Sequence, residues 1–365
     1  MTANGESFTI PRTYKAVEYD KPGTISTKVV ERQTPEPRTG EVLVRLTHSG
    51  VCHSDAAIMQ NLWKGFQPTQ PGHIGGHEGV GIVHKMGPGT EMSSIQVGNR
   101  VGIKWVASMC GSCPACIEGL ESRCANGKKS GYTGPGTFQQ YLTSPANYVT
   151  PIPDGLDSAD AAPMLCAGIT VYTGLKKTNA QPGQWVVITG AGGGLGHIAT
   201  QLGSHGMALR IIGVDHGSKK DLVLESGAEA FVDITQFDDT SIVEEVKRIT
   251  GGRGARAAVA CTGNNRAYAQ ALAMLGLNGT LVCVGVPEGD AVLIPGSDPR
   301  SIIFRGLNIT YTSVGNRRDA IEVLDFAKRG VVKSHSRVEK MEDLTKVFEE
   351  MSQGKLQGRV VLDLE

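Results

Sequence analysis

The sequence predicts an α/β protein with two domains, one β-rich and one containing a doubly wound parallel sheet. The chain has 365 residues, which is more than a single hydrophobic core usually fills. Up to about residue 160 its apolar segments are short and broken by Gly and Pro, whereas from Gln184 apolar strands alternate with helical segments. That alternation is typical of a parallel sheet covered by helices on both faces.

The first half of the chain supplies the β-rich domain. Strands are predicted in GEVLVRLTHSGVC and GVGIVHKMG, and a turn at VGNR leads into a further strand, VGIKW. Short apolar runs bounded by turn residues are the expected pattern for such strands.

The second half supplies the parallel sheet. Its predicted strands are WVVITG, RIIGVD, AFVDI, ARAAVACTG and GTLVCVGVP, and its helices contain IATQLGSHG, KKDLVLESG, TSIVEEVKRITG and AYAQALAML. After Pro295 the sequence predicts another strand in SIIFRGLNITYTSVG, two helices ending near Lys355, and a last strand, GRVVLDL, that can return to the first domain. The predicted boundaries are 1–165 with 309–365 for the first domain and 166–308 for the second.

The charge balance argues against nucleic acid and membranes as partners. Lys plus Arg and Asp plus Glu number 36 each, with no long run of one sign, so no field suited to phosphate backbones or anionic lipid is expected. Neither a signal-peptide core nor about eighteen uninterrupted apolar residues occurs, which leads us to expect a cytoplasmic protein.

Thiols stay reduced in the cytoplasm, which favours metal ligation over disulfides for clustered cysteines.

A glycine-rich loop between the strand WVVITG and the next helix predicts a dinucleotide site. Small residues let a backbone turn sharply and approach a pyrophosphate, and the helix N-terminus offers free N–H groups. Asp215 ends the next strand and is expected to accept from ribose hydroxyls and to repel a 2′-phosphate, which favours NAD, although Lys219 and Lys220 leave NADP open. The G-x-G-x-x-G register is imperfect, and a plain turn is the alternative. The predicted loop contacts are Gly190, Ala191, Gly192, Gly193, Gly194, Leu195 and Gly196.

Four cysteines lie within fifteen residues, in CGSCPACIEGLESRC. Their spacing is C-x2-C-x2-C-x7-C, and such short spacers let one loop place its thiolates around a tetrahedral ion. Four thiolates leave no open coordination position, so Cys110, Cys113, Cys116 and Cys124 predict a structural zinc site, with free surface cysteines as the alternative.

Three further residues predict a second zinc site of another kind. Cys52, His77 and Cys166 lie in SGVCHSD, GGHEGVG and APMLCAGIT. Two thiolates and one imidazole leave a fourth position for water or substrate, as in catalytic zinc sites. Because the three are far apart in sequence, buried structural cysteines are the alternative. Cys261 and Cys283 lie in apolar strands and are interpreted as core residues.

Together these stretches resemble the zinc-dependent medium-chain alcohol dehydrogenases, and most of all their yeast-type branch. The matching phrases include GVCHSD, GGHEGVG, GIKW, the four-cysteine loop, SGYTGPGTFQQY, PMLCAGITVY, SVGNR and GRVVLDL, from about residue 14 to the end. The resemblance implies a GroES-like catalytic domain, a Rossmann domain and two zinc ions per chain. It also implies reversible hydride transfer between NAD and a primary, secondary or bulkier alcohol to give an aldehyde or ketone. It also implies a small-molecule alcohol or aldehyde as substrate and a homotetramer.

The resemblance assigns roles near the second zinc site. Glu78 resembles the acidic residue that lies behind the metal and helps to exchange its ligands, so it is also predicted as a ligand of this zinc. Asp55 resembles the carboxylate that orients the ligand histidine. A structural salt bridge is the alternative for both. Ser54 resembles the hydroxyl that takes the alcohol proton, and Trp105 resembles an aromatic wall of the substrate pocket, with a core tryptophan as its alternative.

The resemblance also assigns cofactor contacts outside the loop. His53 and Arg359 resemble residues that contact the pyrophosphate, and the segment around Val284 and Val286 resembles the one that faces the nicotinamide. The remaining predicted cofactor contacts are Lys220, Ser313 and Val314.

The chain departs from the family at Ala57, where yeast-type members usually carry a proton-relaying histidine, so a shortened or rerouted relay is expected. The segment NLWKGFQPTQPGHIGG also departs, and Val286 stands where methionine is common, which predicts a wider pocket. Two other functions stay open: a zinc-free quinone or enoyl reductase on the same fold, and a zinc-binding module without enzymatic activity.

Overall fold

The structure, a computed structural model, describes residues 8–288 and 292–365. The chain divides into two compact units. The first comprises the chain up to Cys166 together with Gly315–Lys328 and Ser336–Glu365, and the second comprises Ala167–Val314 and Arg329–His335.

In chain order the strands are β1 Thr13–Tyr19, β2 Thr27–Gln33, β3 Glu41–Val51, β4 Gly79–Met86, β5 Arg100–Ile103, β6 Val106–Ser108, β7 Lys128–Lys129, β8 Tyr141–Pro145, β9 Thr150–Pro151, β10 Trp185–Thr189, β11 Arg210–Asp215, β12 Ala230–Asp233, β13 Ala255–Ala260, β14 Leu275–Cys283, β15 Asn308–Tyr311, β16 Ser336–Lys340 and β17 Arg359–Asp363. The first unit contains β1–β9, β16 and β17, and the second contains β10–β15.

The helices are short, and several continue into 3₁₀ or π-helical turns. In chain order they are α1 His53–Met59, α2 Pro114–Ile117, α3 Ser158–Pro163, α4 Ile169–Lys177, α5 Gly196–Gln201, α6 Lys220–Glu225, α7 Ser241–Ile249, α8 Asn265–Ala273, α9 Pro299–Arg305, α10 Arg317–Lys328 and α11 Leu344–Ser352. Within the described ranges, no helix has the length and apolar character needed to cross a bilayer.

Within the part of the first unit that the structure describes, a seven-stranded sheet forms the centre. Its order is β16-β17-β3-β4-β5-β9, with β8 also paired to β3. The last strand, β17, runs antiparallel to β3 with Val360 opposite Val51, so the predicted return of GRVVLDL to the first domain is confirmed. The core of this unit packs Leu46, Phe138 and Phe348 at full burial.

A six-stranded sheet forms the second unit, with order β12-β11-β10-β13-β14-β15 among the described residues. Every neighbouring pair is parallel, as the alternating sequence predicts. Because the strand order reverses beside β10, the loop that follows β10 lies at the edge where such folds bind ligands.

The structure corrects two expectations at the end of this unit. Residues 299–305 form helix α9 rather than the start of a strand, because Asp298 caps it by accepting from the amide of Ser301, Pro299 begins it, and Gly306 ends it with a φ of 62°. Strand β15 then pairs in parallel with β14. Residues 309–314 therefore belong to the second unit, six residues beyond the predicted boundary.

Candidate active site

The four predicted thiolates of the cysteine loop come together on a lobe framed by the antiparallel pair β6 and β7. The Sγ atom of Cys113 lies 3.5 Å from that of Cys116 and 3.9 Å from that of Cys124, and Cys110 lies 3.6 Å from Cys124. A tetrahedron with zinc–sulfur bonds of about 2.3 Å has sulfur–sulfur edges of about 3.8 Å. The residues present therefore fit a zinc ion with no open position.

Backbone amides favour the thiolate form in this lobe. The amides of Ser112 and Cys113 donate to the sulfur of Cys110 and lower the pKa of its thiol to about 5. Such donors are expected around metal-binding sulfurs, because a zinc ligand must be deprotonated.

A buried polar network ties the lobe to the rest of the first unit. Glu121 accepts from the hydroxyl of Tyr148 at 2.9 Å and from Nε of Arg317 at 3.0 Å. The ammonium of Lys104 donates to the carbonyl of Tyr148 at 2.6 Å, and burial lowers the pKa of Lys104 to about 7. Sequence reasoning missed these residues, since no spacing links them and they meet only through the fold.

The second predicted donor set also comes together. One ligand atom each from Cys52, His77, Glu78 and Cys166 lies within 4.8 Å of the others. Cys52 precedes α1, His77 and Glu78 precede β4, and Cys166 lies in a π-helical turn between α3 and α4, a local geometry frequent at functional sites. The Nε2 atom of His77 is 3.2 Å from the sulfur of Cys166.

Asp55 organises this site. Its Oδ1 accepts from Nδ1 of His77 at 2.8 Å and from the amide of Gly76 at 3.2 Å, while Oδ2 accepts from the amide of Cys52 at 2.9 Å. Because an ionised carboxylate only accepts, Nδ1 carries the proton and Nε2 presents its lone pair to the sulfur cluster. This is the arrangement that a metal-ligating histidine requires.

Glu78 lies beside the same cluster and is fully buried. It forms an ion pair with Arg359, which lies at the start of β17 opposite the end of β3. Burial raises the pKa of Glu78 to about 7 against the lowering effect of Arg359. Its Oε2 has no hydrogen-bond partner among the described residues, and an orphaned buried carboxylate oxygen beside two thiols and an imidazole fits a nearby cation.

A chain of aromatic contacts begins at the donor residue His77. The ring of Trp105 contacts that of His77 edge-on at 5.1 Å between centroids and stacks on Tyr132 at 6.4 Å. Phe66 contacts both Tyr132 and Trp63. Trp63 and Phe66 belong to the segment NLWKGFQPTQPGHIGG.

Two residues of α1 bear on the predicted proton relay. Ser54 is half-buried one position after His53, which is exposed. Ala57 is 1% exposed, so the space at this position is closed to water. An imidazole introduced there would have to be buried, which argues against a relay that simply opens to solvent at residue 57.

The glycine-rich loop follows β10 in the second unit, as the sequence predicts. Gly190 has a φ of 70° and donates to the carbonyl of Val214 at 2.9 Å. A Cβ at Gly196 would lie 2.1 Å from the carbonyl oxygen of Gly190. Glycine is therefore required at both ends of the loop, by conformation at the first and by close approach at the second.

Asp215 lies at the carboxyl end of β11 beside the loop. It accepts from the amide of Gly192 at 2.8 Å and from that of His216 at 2.7 Å. The Nζ of Lys219 is 3.8 Å from Asp215, whereas Lys220, the predicted contact, is exposed at the start of α6.

Four further predicted cofactor residues lie on two later segments of the same unit, whereas His53 and Arg359 belong to the first unit. Val284 is half-buried after β14, and Val286 is 55% exposed. Ser313 and Val314 follow β15, and Val314 has a φ of 49°, a conformation that β-branched residues rarely adopt and that clusters at functional sites. Cys261 and Cys283 are half-buried at strand ends rather than deep in the core.

Comparison with known proteins identifies the family. Residues 38–154 match the alcohol dehydrogenase GroES-like domain, and residues 194–329 match the zinc-binding dehydrogenase domain. The chain is 59% identical over 361 residues to alcohol dehydrogenase 2 of Emericella nidulans, covering 97% of this chain and 98% of that protein. The chain belongs to the zinc-binding alcohol dehydrogenases.

Solved structures of this alcohol dehydrogenase family share its fold. The alcohol dehydrogenase of the archaeon Aeropyrum pernix superposes with a TM-score of 0.85 at 28% identity, over 96% of this chain and 99% of that one. Acetophenone reductase of Geotrichum candidum, in complex with NAD, superposes with a TM-score of 0.83 at 25% identity, over 98% of each chain. The GroES-like and Rossmann domains predicted from the sequence are confirmed.

Proposed function

We propose that this alcohol dehydrogenase contains two zinc ions per chain and transfers hydride reversibly between a primary alcohol and NAD. The observation that carries the proposal is the donor set of Cys52, His77 and Cys166, with the tautomer of His77 fixed by Asp55. Three protein ligands of this kind leave a coordination position for substrate.

The side chains around the donor set have separate roles in this proposal. A zinc ion held there supplies Lewis acidity that lowers the pKa of an alcohol hydroxyl. Ser54 accepts the hydroxyl proton while its own hydroxyl proton passes on toward solvent. Asp55 holds the ligand imidazole in place, and Trp105 provides an apolar wall that orients the alcohol carbon. Glu78, paired with Arg359, supplies negative charge behind the donor set.

The second unit is proposed to bind NAD through the glycine-rich loop and Asp215. The loop brings backbone amides to the helix N-terminus, where a pyrophosphate is stabilised. Asp215 repels a 2′-phosphate, and the nearby Lys219 is already engaged with that carboxylate, which supports NAD over NADP. The complex of the Geotrichum candidum relative with NAD adds support. Further proposed contacts are His53, Lys220, Val284, Val286, Ser313, Val314 and Arg359.

The proposal extends to the assembly and location of the enzyme. The resemblance to the yeast-type branch supports a homotetramer in the cytoplasm. Analytical ultracentrifugation of the purified protein tests the homotetramer, and microscopy of a fluorescent fusion in cells tests the cytoplasmic location.

A substrate panel tests the proposed reaction. Purified enzyme is incubated with primary and secondary alcohols of increasing size and either NAD or NADP, and the absorbance of the reduced nicotinamide is followed. We expect turnover of primary alcohols with NAD, and the aromatic side chains around Trp105 predict activity with larger alcohols. Reduction of a quinone or enone with NADPH, without alcohol oxidation, would support the reductase alternative instead.

A further inference from the structure

Helix α5, which follows the glycine-rich loop, binds a distant segment of the chain through two polar side chains. His197 and Gln201 lie four residues apart and therefore on one face of the helix. Nε2 of His197 accepts from the amide of His335 at 3.1 Å. The side chain of Gln201 accepts from the amide of Lys333 at 2.9 Å and donates to its carbonyl at 2.9 Å.

The other ring nitrogen of His197 contacts the loop itself. Nδ1 lies 2.8 Å from the carbonyl oxygen of Gly193. A carbonyl can only accept and a backbone amide can only donate, so Nδ1 carries the hydrogen and Nε2 is the acceptor. The two contacts together fix one neutral tautomer and one ring orientation, and the ring is fully buried.

The ring of His197 adds a side-chain hydrogen bond to the carbonyl of Gly193, which also accepts from the backbone amide of His197 at 3.2 Å. Five of the seven residues from Gly190 to Gly196 are glycine, and each loses much conformational freedom when it is fixed. The amide of Gly193 donates to the carbonyl of Gly190 at 3.0 Å. Gly193 is therefore hydrogen-bonded through both its amide and its carbonyl, and the ring that donates to the carbonyl is itself fixed by the amide of His335.

We propose that His197 is a positioning residue for the dinucleotide: it fixes Gly193 so that the loop is ordered for the pyrophosphate before the cofactor binds. This inference rests on the proposed NAD site. Preorganisation removes the ordering cost from binding, so the contribution of His197 should be measurable in cofactor affinity and not in alcohol affinity.

Two conservative variants separate the contacts of the ring. Asn places an amide N–H where Nδ1 lies and can still donate to Gly193, whereas Gln places its amide where Nε2 lies and can meet only the amide of residue 335. We expect His197→Ala and His197→Gln to weaken NADH binding to the zinc-loaded enzyme about ten-fold, and His197→Asn to restore most of it. His205→Asn, in the π-helical turn after α5, is the matched control.

The measurements are NADH binding by fluorescence titration, the KM values for NAD and alcohol, and the melting temperature. We expect the KM for NAD to rise with the dissociation constant while the KM for the alcohol stays unchanged. Wild-type affinity in His197→Ala, or no advantage of Asn over Gln, would overturn the role of His197. Absence of NADH binding by the wild-type enzyme would overturn the proposed function instead.

Discussion

Replacement of Asp55 by Asn exchanges one carboxylate oxygen beside the donor set of Cys52, His77 and Cys166 for an amide NH2 group, at nearly constant volume. Three donors, the amides of Cys52 and Gly76 and Nδ1 of His77, converge on its two oxygens. An amide has one oxygen, so at least one donor would face an N–H group, or His77 would have to adopt the other tautomer. In that tautomer Nε2 carries the proton and cannot bind a metal.

The size of the effect follows from burial. Asp55 is fully buried, and an unsatisfied buried donor costs about 1–3 kcal/mol, with hydrogen bonds to a charged group at the upper end. Changes to groups that orient a metal ligand typically lower metal affinity or activity by about 10- to 100-fold. We therefore expect Asp55→Asn to weaken catalytic zinc by about that factor while the cysteine-loop zinc stays bound.

Competition with a chromogenic chelator measures the two zinc affinities separately, and alcohol turnover is measured at saturating zinc. Asp157→Asn is the matched control, because Asp157 caps α3 and Asn is an equally good capping residue. Wild-type zinc affinity and turnover in Asp55→Asn would refute the idea that Asp55 orients His77 for the metal.

Four further substitutions test the same structure. Cys113→Ser should remove the structural zinc and lower the melting temperature by more than about 5 °C in a thermal scan. An unchanged melting temperature in this variant would contradict a structural role of the cysteine-loop zinc. Cys166→Ser should keep the fold and lower turnover more than about 100-fold. Asp215→Asn retains an acceptor for the amide of Gly192 and should narrow the preference for NAD over NADP about ten-fold. If the ratio of kcat/KM with NAD to kcat/KM with NADP is unchanged, Asp215 does not select the cofactor. Burial lowers the pKa of Lys104 to about 7, so between pH 7 and the ordinary lysine value of 10.5 the unfolded chain binds more protons and stability rises with pH. Lys104→Met should remove that rise, which is measured as the difference between the free energies of urea unfolding at pH 7 and at pH 9.5. The same difference in the variant and the wild-type protein would contradict this prediction.

Local patterns predicted the parts of the site that are contiguous in sequence. The four-cysteine spacing and the glycine-rich loop each place their residues within one turn or lobe, so the spacing alone constrains the geometry. The alternation of strands and helices likewise predicted the parallel sheet around β10, because the spacing of apolar residues that distinguishes strands from helices can be read directly from the sequence.

Contacts between residues that are distant in the chain could not be predicted from the sequence. Glu78 and Arg359 are far apart in the chain and meet because β17 pairs with β3. Helix α9 was missed because SIIFR carries β-forming residues, and its capping residues Asp298 and Gly306 outweigh that propensity. His197 gave no signal, since its partner near residue 335 is brought to α5 only by the return of the chain to the second unit.

Transfer of deuterium tests the central claim most directly. An alcohol deuterated at its reacting carbon is incubated with NAD and the zinc-loaded enzyme, and the reduced nicotinamide is analysed by mass spectrometry. Direct hydride transfer predicts one deuterium in the reduced nicotinamide formed by the wild-type enzyme and none above background with Cys166→Ser. Reduced nicotinamide without deuterium, or equal transfer by the variant, would contradict a zinc-dependent alcohol dehydrogenase that uses the donor set of Cys52, His77 and Cys166.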